Sequence, residues 1–162
     1  MSEGVWVVRP TVPRAASRRL VDAAAAETAA MRVPVTVVIV DESGVLKELC
    51  RMDGAPLVSV QTAMSKAYAA AAIAMPPDEF YTAIEADGAA VAPFAGRPGM
   101  ALTAGGLPLL ADGQLAGAIG IAGGDDRCRR SPDRESGRRC AGQWHMSEGR
   151  ASNEQPGGEW QR

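Results

Sequence analysis

Hydrophobic residues recur with two different periods along the first 124 residues, and together they predict a fold that contains both helices and strands. Apolar residues at helical spacing predict a first helix over residues 13–31. The β-branched run over 33–40 predicts a buried strand, and a second strand over 45–51 returns beside it after a turn at 41–44. The chain therefore begins with a helix and a hairpin.

Two helices are expected after the hairpin. Ser59 stands where a capping residue begins a helix, which runs to about Met75 before a Pro-Pro pair ends it. Asp78 opens a shorter helix that ends at Ala86, ahead of an Asp-Gly pair. The longer of the two is rich in alanine, which favours helix but adds little side-chain area for burial.

Glycine and proline crowd positions 92–106, which predicts a long loop containing one short strand at 100–104. A final hairpin is expected from strands at 107–111 and 114–122, joined by an Asp-Gly turn. The pattern as a whole predicts an α+β fold, with an antiparallel sheet of about five strands flanked by helices.

Composition narrows the class of protein. The chain has 162 residues, 46% of them hydrophobic and 22% charged, which suits one globular domain. Its net charge of −2 argues against binding to nucleic acid or to an anionic membrane, because both need a dense basic face. No apolar run approaches the roughly 20 residues of a membrane span, and residues 1–10 show no secretory signal. We therefore expect a cytoplasmic protein in which Cys50 is reduced.

The composition changes sharply after Gly124. Residues 125–162 carry eight Arg, no Lys and seven Asp or Glu, and they contain no Val, Ile, Leu, Phe or Tyr. Such a segment buries too little apolar area to offset the entropy of ordering it, so disorder is expected. The predicted organisation is an N-terminal extension over 1–10, a domain over 11–124 and a disordered tail over 125–162.

The same tail also admits an out-of-frame origin. Asp125–Trp144 can be back-translated with permitted codons so that reading one base later gives TTDADVARTARAAVAALASG, an alanine-rich amphipathic helix. The codons for the next three residues then give a threonine and a stop. In this interpretation the chain is frameshifted after Gly124, and resequencing codons 122–147 is the direct test.

Three sequence blocks over 11–124 carry a resemblance to a known family. The blocks are Val40–Leu46 with Arg51–Ala55, then Ser59 with Ala63–Ala69, then Gly96–Gly99 with Gly105–Pro108 and Gly117–Gly124. In this order and spacing the chain resembles the HbpS/GlcG-like family of haem-binding and haem-degrading proteins. The resemblance implies a profilin-like fold, a homo-oligomer, and a small-molecule ligand such as haem or a related tetrapyrrole. It also implies an alanine-rich C-terminal helix, which the in-frame tail lacks and the shifted frame supplies.

Cationic side chains are the clearest ligand-binding candidates. Arg51, Lys66 and Arg97 are expected to anchor carboxylates such as haem propionates. Lys66 lies on an alanine-lined helix face, where it either meets an anion in a pocket or extends to water.

The resemblance also implies a ligand-facing loop around Arg97–Met100, which continues through Thr103 to Gly105 and Gly106. Because the predicted domain has no histidine, Met100 or Thr103 is the candidate neighbour of a haem iron. Met100 could equally fill the core, and Tyr68 is either an iron ligand or a helix-face residue with its hydroxyl at the surface.

Catalytic signatures are missing from the sequence. No residues have the spacing of zinc ligands, and Cys50 on a strand and His145 in the tail do not predict a catalytic pair. The glycines within 117–120 lie in a predicted strand, so they indicate close backbone packing rather than a phosphate-binding loop.

Three functions stay open on the sequence alone. The first is a small-ligand binding protein, with haem or a related tetrapyrrole as ligand and a weak or accessory activity. The second is an enzyme or accessory factor in glycolate- or diol-type metabolism of small carboxylates, and the third is a non-catalytic assembly subunit.

The frameshift interpretation makes a prediction about stability. A version that continues after Gly124 as TTDADVARTARAAVAALASGT should unfold at a much higher temperature than the 162-residue chain and should form a defined multimer. The resemblance implies that its helix packs beside the helix at 13–31, where about four buried apolar side chains contribute roughly 1.5–3 kcal/mol each. That sum approaches the stability of a whole domain, about 5–15 kcal/mol. Thermal unfolding and size-exclusion chromatography compare the two chains, and equal stability with equal uniformity would contradict the interpretation.

Overall fold

One antiparallel sheet organises the protein, with its strands in the order β2-β1-β4-β3. The computed structural model describes residues 7–124, and the elements there are α1 (Arg14–Ala30), β1 (Val35–Asp41), β2 (Leu46–Arg51), α2 (Val58–Ile73), α3 (Pro77–Ile84), α4 (Gly88–Ala95), β3 (Gly106–Ala111) and β4 (Gln114–Gly123). The α+β fold with an antiparallel sheet and flanking helices is confirmed. Within the described residues the sheet has four strands rather than five.

The two faces of the sheet carry different side chains. On the face that α1 covers, branched residues of β1 and β4 form the core with residues of α1 and of the segment before it; these are Val12, Val21, Ala24, Val35, Val37, Ile39, Ile119 and Ile121. On the face that α2 covers, Val38 and Val40 meet a surface built almost wholly of alanine. Successive side chains of a strand point to opposite faces of the sheet. β1 therefore supplies buried residues to the core on each face.

A glycine in β4 lets α2 lie close to the sheet. A Cβ atom built on Gly120 of β4 would stand 2.1 Å from the Ala63 carbonyl oxygen and 2.6 Å from the Ala67 backbone nitrogen. The prediction that glycines in 117–120 permit close backbone packing is confirmed. Ala63, Ala67 and Ala70 complete the contact, and none of the three is exposed to solvent.

Both hairpin turns form at the predicted positions. Asp41 Oδ1 accepts hydrogen bonds from the backbone N–H of Ser43 at 3.0 Å and of Val45 at 2.9 Å, and Gly44 adopts a φ of +79°. In the second hairpin Asp112 and Gly113 both have positive φ, at +50° and +76°. Two successive positive φ angles characterise the type I′ turn, which matches the twist of the strands that it joins.

Two predictions for the segment before β3 are wrong. No strand forms over 100–104, and the region predicted as loop from residue 92 begins inside a helix, α4. The helix before Asp87 ends as expected, and Asp87 Oδ1 also accepts a hydrogen bond from Ala89 N at 2.9 Å and so caps α4. The rings of Phe80 and Phe94 meet edge to face, with centroids 5.1 Å apart, and this contact joins α4 to α3.

Ser59 does not cap α2, contrary to the prediction. The helix begins one residue earlier, after Leu57, so Ser59 lies inside it and is buried. Its hydroxyl lies 2.6 Å from the Pro56 carbonyl oxygen, to which it donates, and 2.7 Å from the Thr36 hydroxyl. Because the single serine proton goes to Pro56, Thr36 donates to Ser59, and this pair attaches the start of α2 to β1.

Several expectations fall on residues outside the described range. They are the N-terminal extension as far as residue 6, the disorder or frameshift of 125–162, and any role of His145. Among residues 7–124, no helix is long and apolar enough to cross a membrane.

Replacing Gly120 by alanine should destabilise the protein by at least about 1–3 kcal/mol, the usual range for overpacking. The new methyl group would collide with backbone atoms of α2, which cannot move aside as a side-chain end could. The measurement is urea unfolding of Gly120→Ala beside Gly88→Ala, where nothing lies within 4 Å of the added Cβ. Equal stability of the two variants would contradict the close contact.

Candidate ligand-binding site

Lys66 projects from α2 toward the edge of the sheet at which β3 begins. Its Nζ donates a hydrogen bond to the Ile121 carbonyl oxygen at 3.2 Å, and its side chain is half-buried. The backbone N–H of Ile121 in turn donates to the Gly105 carbonyl oxygen at 2.8 Å. The ammonium group is thus held at a defined place, beside the first residues of β3.

Glycine at the start of β3 makes this arrangement possible. A Cβ atom on Gly106 would stand 2.7 Å from the Lys66 carbonyl oxygen and 3.1 Å from Cγ of Pro77. Gly105 has a φ of +103°, which side chains other than hydrogen strongly disfavour. The structure therefore brings together Lys66, Gly105 and Gly106, three of the predicted site residues.

The other predicted loop residues lie on the segment that leads into β3. Arg97, Pro98, Gly99 and Met100 form a β-turn in which Met100 N donates to the Arg97 carbonyl oxygen at 3.3 Å. Gly99 has a φ of +73° and follows proline, as a type II turn requires. Arg97 is exposed and Met100 is half-buried, whereas Thr103 further along the loop is exposed.

Arg51 lies on the strand farthest from β3 and so apart from the other predicted site residues. It ends β2, and β2 and β3 are the two opposite edges, about 14 Å apart at the usual strand spacing. Its guanidinium donates two hydrogen bonds to the Ala55 carbonyl oxygen, one of them from Nε at 3.0 Å. In the described structure Arg51 therefore stabilises the loop after β2.

A cavity of about 150 Å³ lies on the other side of α2, where the β1–β2 turn meets the helix. Its lining residues are Glu42, Ser43, Gly44, Tyr68, Ala71 and Ala72. The Tyr68 ring packs directly over Gly44, since a Cβ atom there would stand 2.9 Å from Tyr68 Cδ2. Tyr68 keeps 37% of its surface exposed, as expected for a residue on a helix face.

The carboxylate of Glu42 is the one acidic group in this cavity. The nearby Thr11 side chain, followed by the Glu42 backbone N–H, lowers the pKa of Glu42 below its ordinary value, so the group is ionised at neutral pH. The largest of these effects is a hydrogen bond from the Thr11 side chain to the Glu42 carboxylate, which leaves Oε2 as the oxygen without a partner. That oxygen is covered by its neighbours and accepts no hydrogen bond from residues 7–124. Sequence reasoning treated Glu42 only as a turn residue.

The side chains that could bind a metal ion are dispersed among residues 7–124. No three His, Cys, Asp or Glu side chains there are grouped to hold a metal ion. Cys50 is half-buried on β2 and forms no disulfide within the described part of the chain. The arrangement near Lys66 is suited instead to holding an anion.

Comparison with known sequences adds to this description. The profile of the family described as haem degrading protein HbpS-like matches residues 12–128. An uncharacterized 15.0 kDa protein of the dhaT–dhaS intergenic region of Citrobacter freundii is 30% identical over 122 residues, which are 70% of this chain and 81% of that protein.

Solved structures show the same fold. A double mutant of HbpS from Streptomyces reticuli superposes with a TM-score of 0.69 at 25% identity, over 87% of this chain and 90% of that chain. The PduOC:heme complex superposes with a TM-score of 0.67 at 28% identity, over 81% of this chain and 90% of that chain. The profile match spans most of the chain and the folds agree, so the protein belongs to the HbpS-like family.

Proposed function

We propose that the protein binds a small anionic ligand of the haem or tetrapyrrole class beside Lys66, at the start of β3. The position of the Lys66 ammonium carries this proposal, because it is half-buried and fixed against the Ile121 carbonyl oxygen. Charge-assisted hydrogen bonds to a carboxylate are roughly twice as strong as neutral ones, and partial burial reduces their screening by salt. A ligand with carboxylate groups suits this place.

Two of the features that haem needs have candidate residues in this chain. Haem needs cations for its propionates, an apolar surface for its ring and a ligand for its iron. Lys66 and the exposed Arg97 are cations on α2 and on the loop that enters β3, and Met100 of the same loop offers a thioether. When bound, haem would supply a redox-active iron. Among known proteins of this fold, the PduOC:heme complex supports the choice of ligand.

Each of these residues would have a separate task. Lys66 would position one carboxylate, because its own hydrogen bond limits where the ammonium can lie. Arg97, on the exposed corner of a turn, would bind a second carboxylate with its planar fork. Gly106 would let β3 begin directly against the backbone of α2 at Lys66, and Gly105 would supply the positive φ that leads the loop into β3.

Haem titration of the purified chain should give a saturable Soret band, and Lys66→Ala should weaken the binding about tenfold or more. The expected loss corresponds to one charge-assisted hydrogen bond of about 1.5–3 kcal/mol. Lys47→Ala is the matched control, because Lys47 is an exposed lysine on β2. Binding that is equally strong in all three proteins would contradict the role of Lys66.

Iron-free protoporphyrin tests carboxylate binding by Lys66 separately from the contact between Met100 and the haem iron. Its binding should depend on Lys66 but not on Met100, whereas haem binding should also weaken in Met100→Ala. Met31→Ala serves as the control, since Met31 is half exposed at the end of α1. If Met100→Ala affects both porphyrins equally, Met100 acts by packing and is not an iron neighbour.

If haem titration gives no Soret band, the second function, in small-carboxylate metabolism, has to be tested. Binding of a small carboxylate such as glycolate, lost in Lys66→Ala, would then favour an enzyme or accessory factor of small-carboxylate metabolism. The homo-oligomer stays a prediction, and size-exclusion chromatography with light scattering measures it.

A further inference from the structure

We propose that two copies of this chain associate by exchanging N-terminal arms, with Val7 and Val8 of one copy packed into an apolar groove of the other. The arm is residues 7–10, and the groove lies between β2 and α2. In the structure 83% of Val7 and 92% of Val8 is exposed to solvent. The groove lies on the flank of α2 opposite to Lys66, which points to β3, and this proposal does not depend on the proposed function.

One wall of the groove is the part of the sheet that α2 leaves open. α2 lies over β4, β1 and β3, whereas α1 packs on β2 from the opposite face. Leu46 of β2 pairs with Val40, and Leu49 pairs with Val38. Because the two valines face α2, the two leucines point to the same side of the sheet. They keep 44% and 36% of their surface exposed, so β2 presents two leucines that are only partly covered within residues 7–124.

The other wall is the flank of α2 nearest to β2. Met64 and Tyr68 are four residues apart and so share one side of the helix. The Tyr68 ring packs over Gly44 in the β1–β2 turn, which places this side toward β2. Leu57, immediately before α2, adds a further exposed apolar side chain. Large apolar side chains gathered on one exposed surface mark a place where another chain binds.

The arm leaves the domain at the end of the sheet where the groove begins. The backbone N–H of Val12 donates to the Ala116 carbonyl oxygen at 2.8 Å, and Val12 Cγ1 lies 3.0 Å from the position of a Cβ atom on Gly117. Gly117 pairs with Asp41, the last residue of β1 before the turn. Leu46 is the first residue of β2 after the same turn. The exit of the arm and the first leucine of the groove therefore lie at one end of the sheet.

Two prolines disfavour the return of the arm into its own groove. Val12 is buried in the core on the α1 side of the sheet, whereas the groove lies on the α2 side. Pro10 and Pro13 hold their own φ angles and favour extended backbone at Arg9 and Val12, the residues before them. A stiff arm that starts on the α1 side continues away from its own body, as the exposure of its two valines shows.

A twofold axis at this end serves both copies at once. Because the exit and the groove begin at the same end of each chain, one rotation by 180° can bring each arm to the groove of its partner. In the sequence, Val5 and Trp6 continue the apolar run ahead of the arm. The tail over 125–162 offers no comparable run, because it contains no Val, Ile, Leu, Phe or Tyr.

Size-exclusion chromatography of the full-length chain with light scattering is the first test. The parent should form a dimer whose fraction rises with concentration. Combining Val7→Asp with Val8→Asp should raise the dimer dissociation constant at least about tenfold, because carboxylates resist burial in an apolar groove. Leu46→Gln should act in the same direction from the side of the groove. Leu110→Gln is the matched control, because Leu110 is an exposed leucine on the opposite edge strand, β3.

Mixing the arm variant with the groove variant distinguishes exchange between copies from docking within one copy. The arm variant keeps an intact groove, and the Leu46→Gln variant keeps an intact arm. A mixed dimer therefore retains one of its two contacts in full, so the mixture should associate more strongly than either variant alone. Docking of each arm in its own chain predicts no such gain.

A peptide with the sequence of residues 4–10, GVWVVRP, probes the groove directly. Added to the full-length ¹⁵N-labelled arm variant, it should shift the backbone amide signals of Leu46, Leu49, Met64 and Tyr68 saturably. The same peptide with both substitutions of the arm should shift none of them.

Each outcome decides the proposal. Weaker association in both variants, a gain on mixing and saturable peptide shifts support it. A parent that is monomeric at every concentration overturns it, as do variants that associate as the parent does or a peptide that leaves the groove signals unchanged. Amide spectra show whether each variant has kept its fold, and the exposed valines of the arm keep that variant informative even if Leu46→Gln does not fold.

Discussion

The contact between the backbone of α2 and β4 at Gly120 is the constraint on which the rest of the structure depends. Helices usually pack on sheets through long side chains, which hold the two backbones well apart. Here the helix contributes alanines and the strand contributes glycine, so carbonyl and amide groups of α2 lie directly over the sheet. On the α2 face of the sheet, close packing of small residues therefore contributes more than side-chain volume, whereas branched side chains fill the core on the α1 face.

The placement of the Lys66 and Tyr68 side chains follows from this short distance. Because α2 lies so low, the Lys66 side chain reaches the Ile121 carbonyl oxygen on one flank, and the Tyr68 ring reaches the hairpin turn on the other. Gly106 and Gly44 provide the space at the two contacts. One helix held close to the sheet thus places the Lys66 ammonium on one flank and the Tyr68 ring on the other.

The sequence predicted what local chemistry determines. Both hairpins could be located because Asp41 and Asp112 begin turns whose hydrogen bonds and φ angles are set within a few residues. The helix α4 could not be located, because Pro93 and the flanking glycines are typical of a loop. Its contact with α3 also depends on Phe80, which is distant in sequence. Lys66 and Gly106 were found by resemblance and do meet, whereas Arg51 turned out to lie at the other edge. The Glu42 cavity has no sequence signal, because it exists only where a turn and a helix happen to approach.

The strand order has a consequence for how copies of this chain could associate. Within residues 7–124, β2 and β3 are edge strands, and an edge strand can pair with a strand of another molecule. Pro108 on β3 lacks the N–H that such pairing needs, and proline is tolerated there because an edge strand can turn that position outward. On β2 the charges of Lys47, Glu48 and Arg51 disfavour the close approach of a second strand. Both edge strands of the described residues thus oppose continuation of the sheet into a fibre.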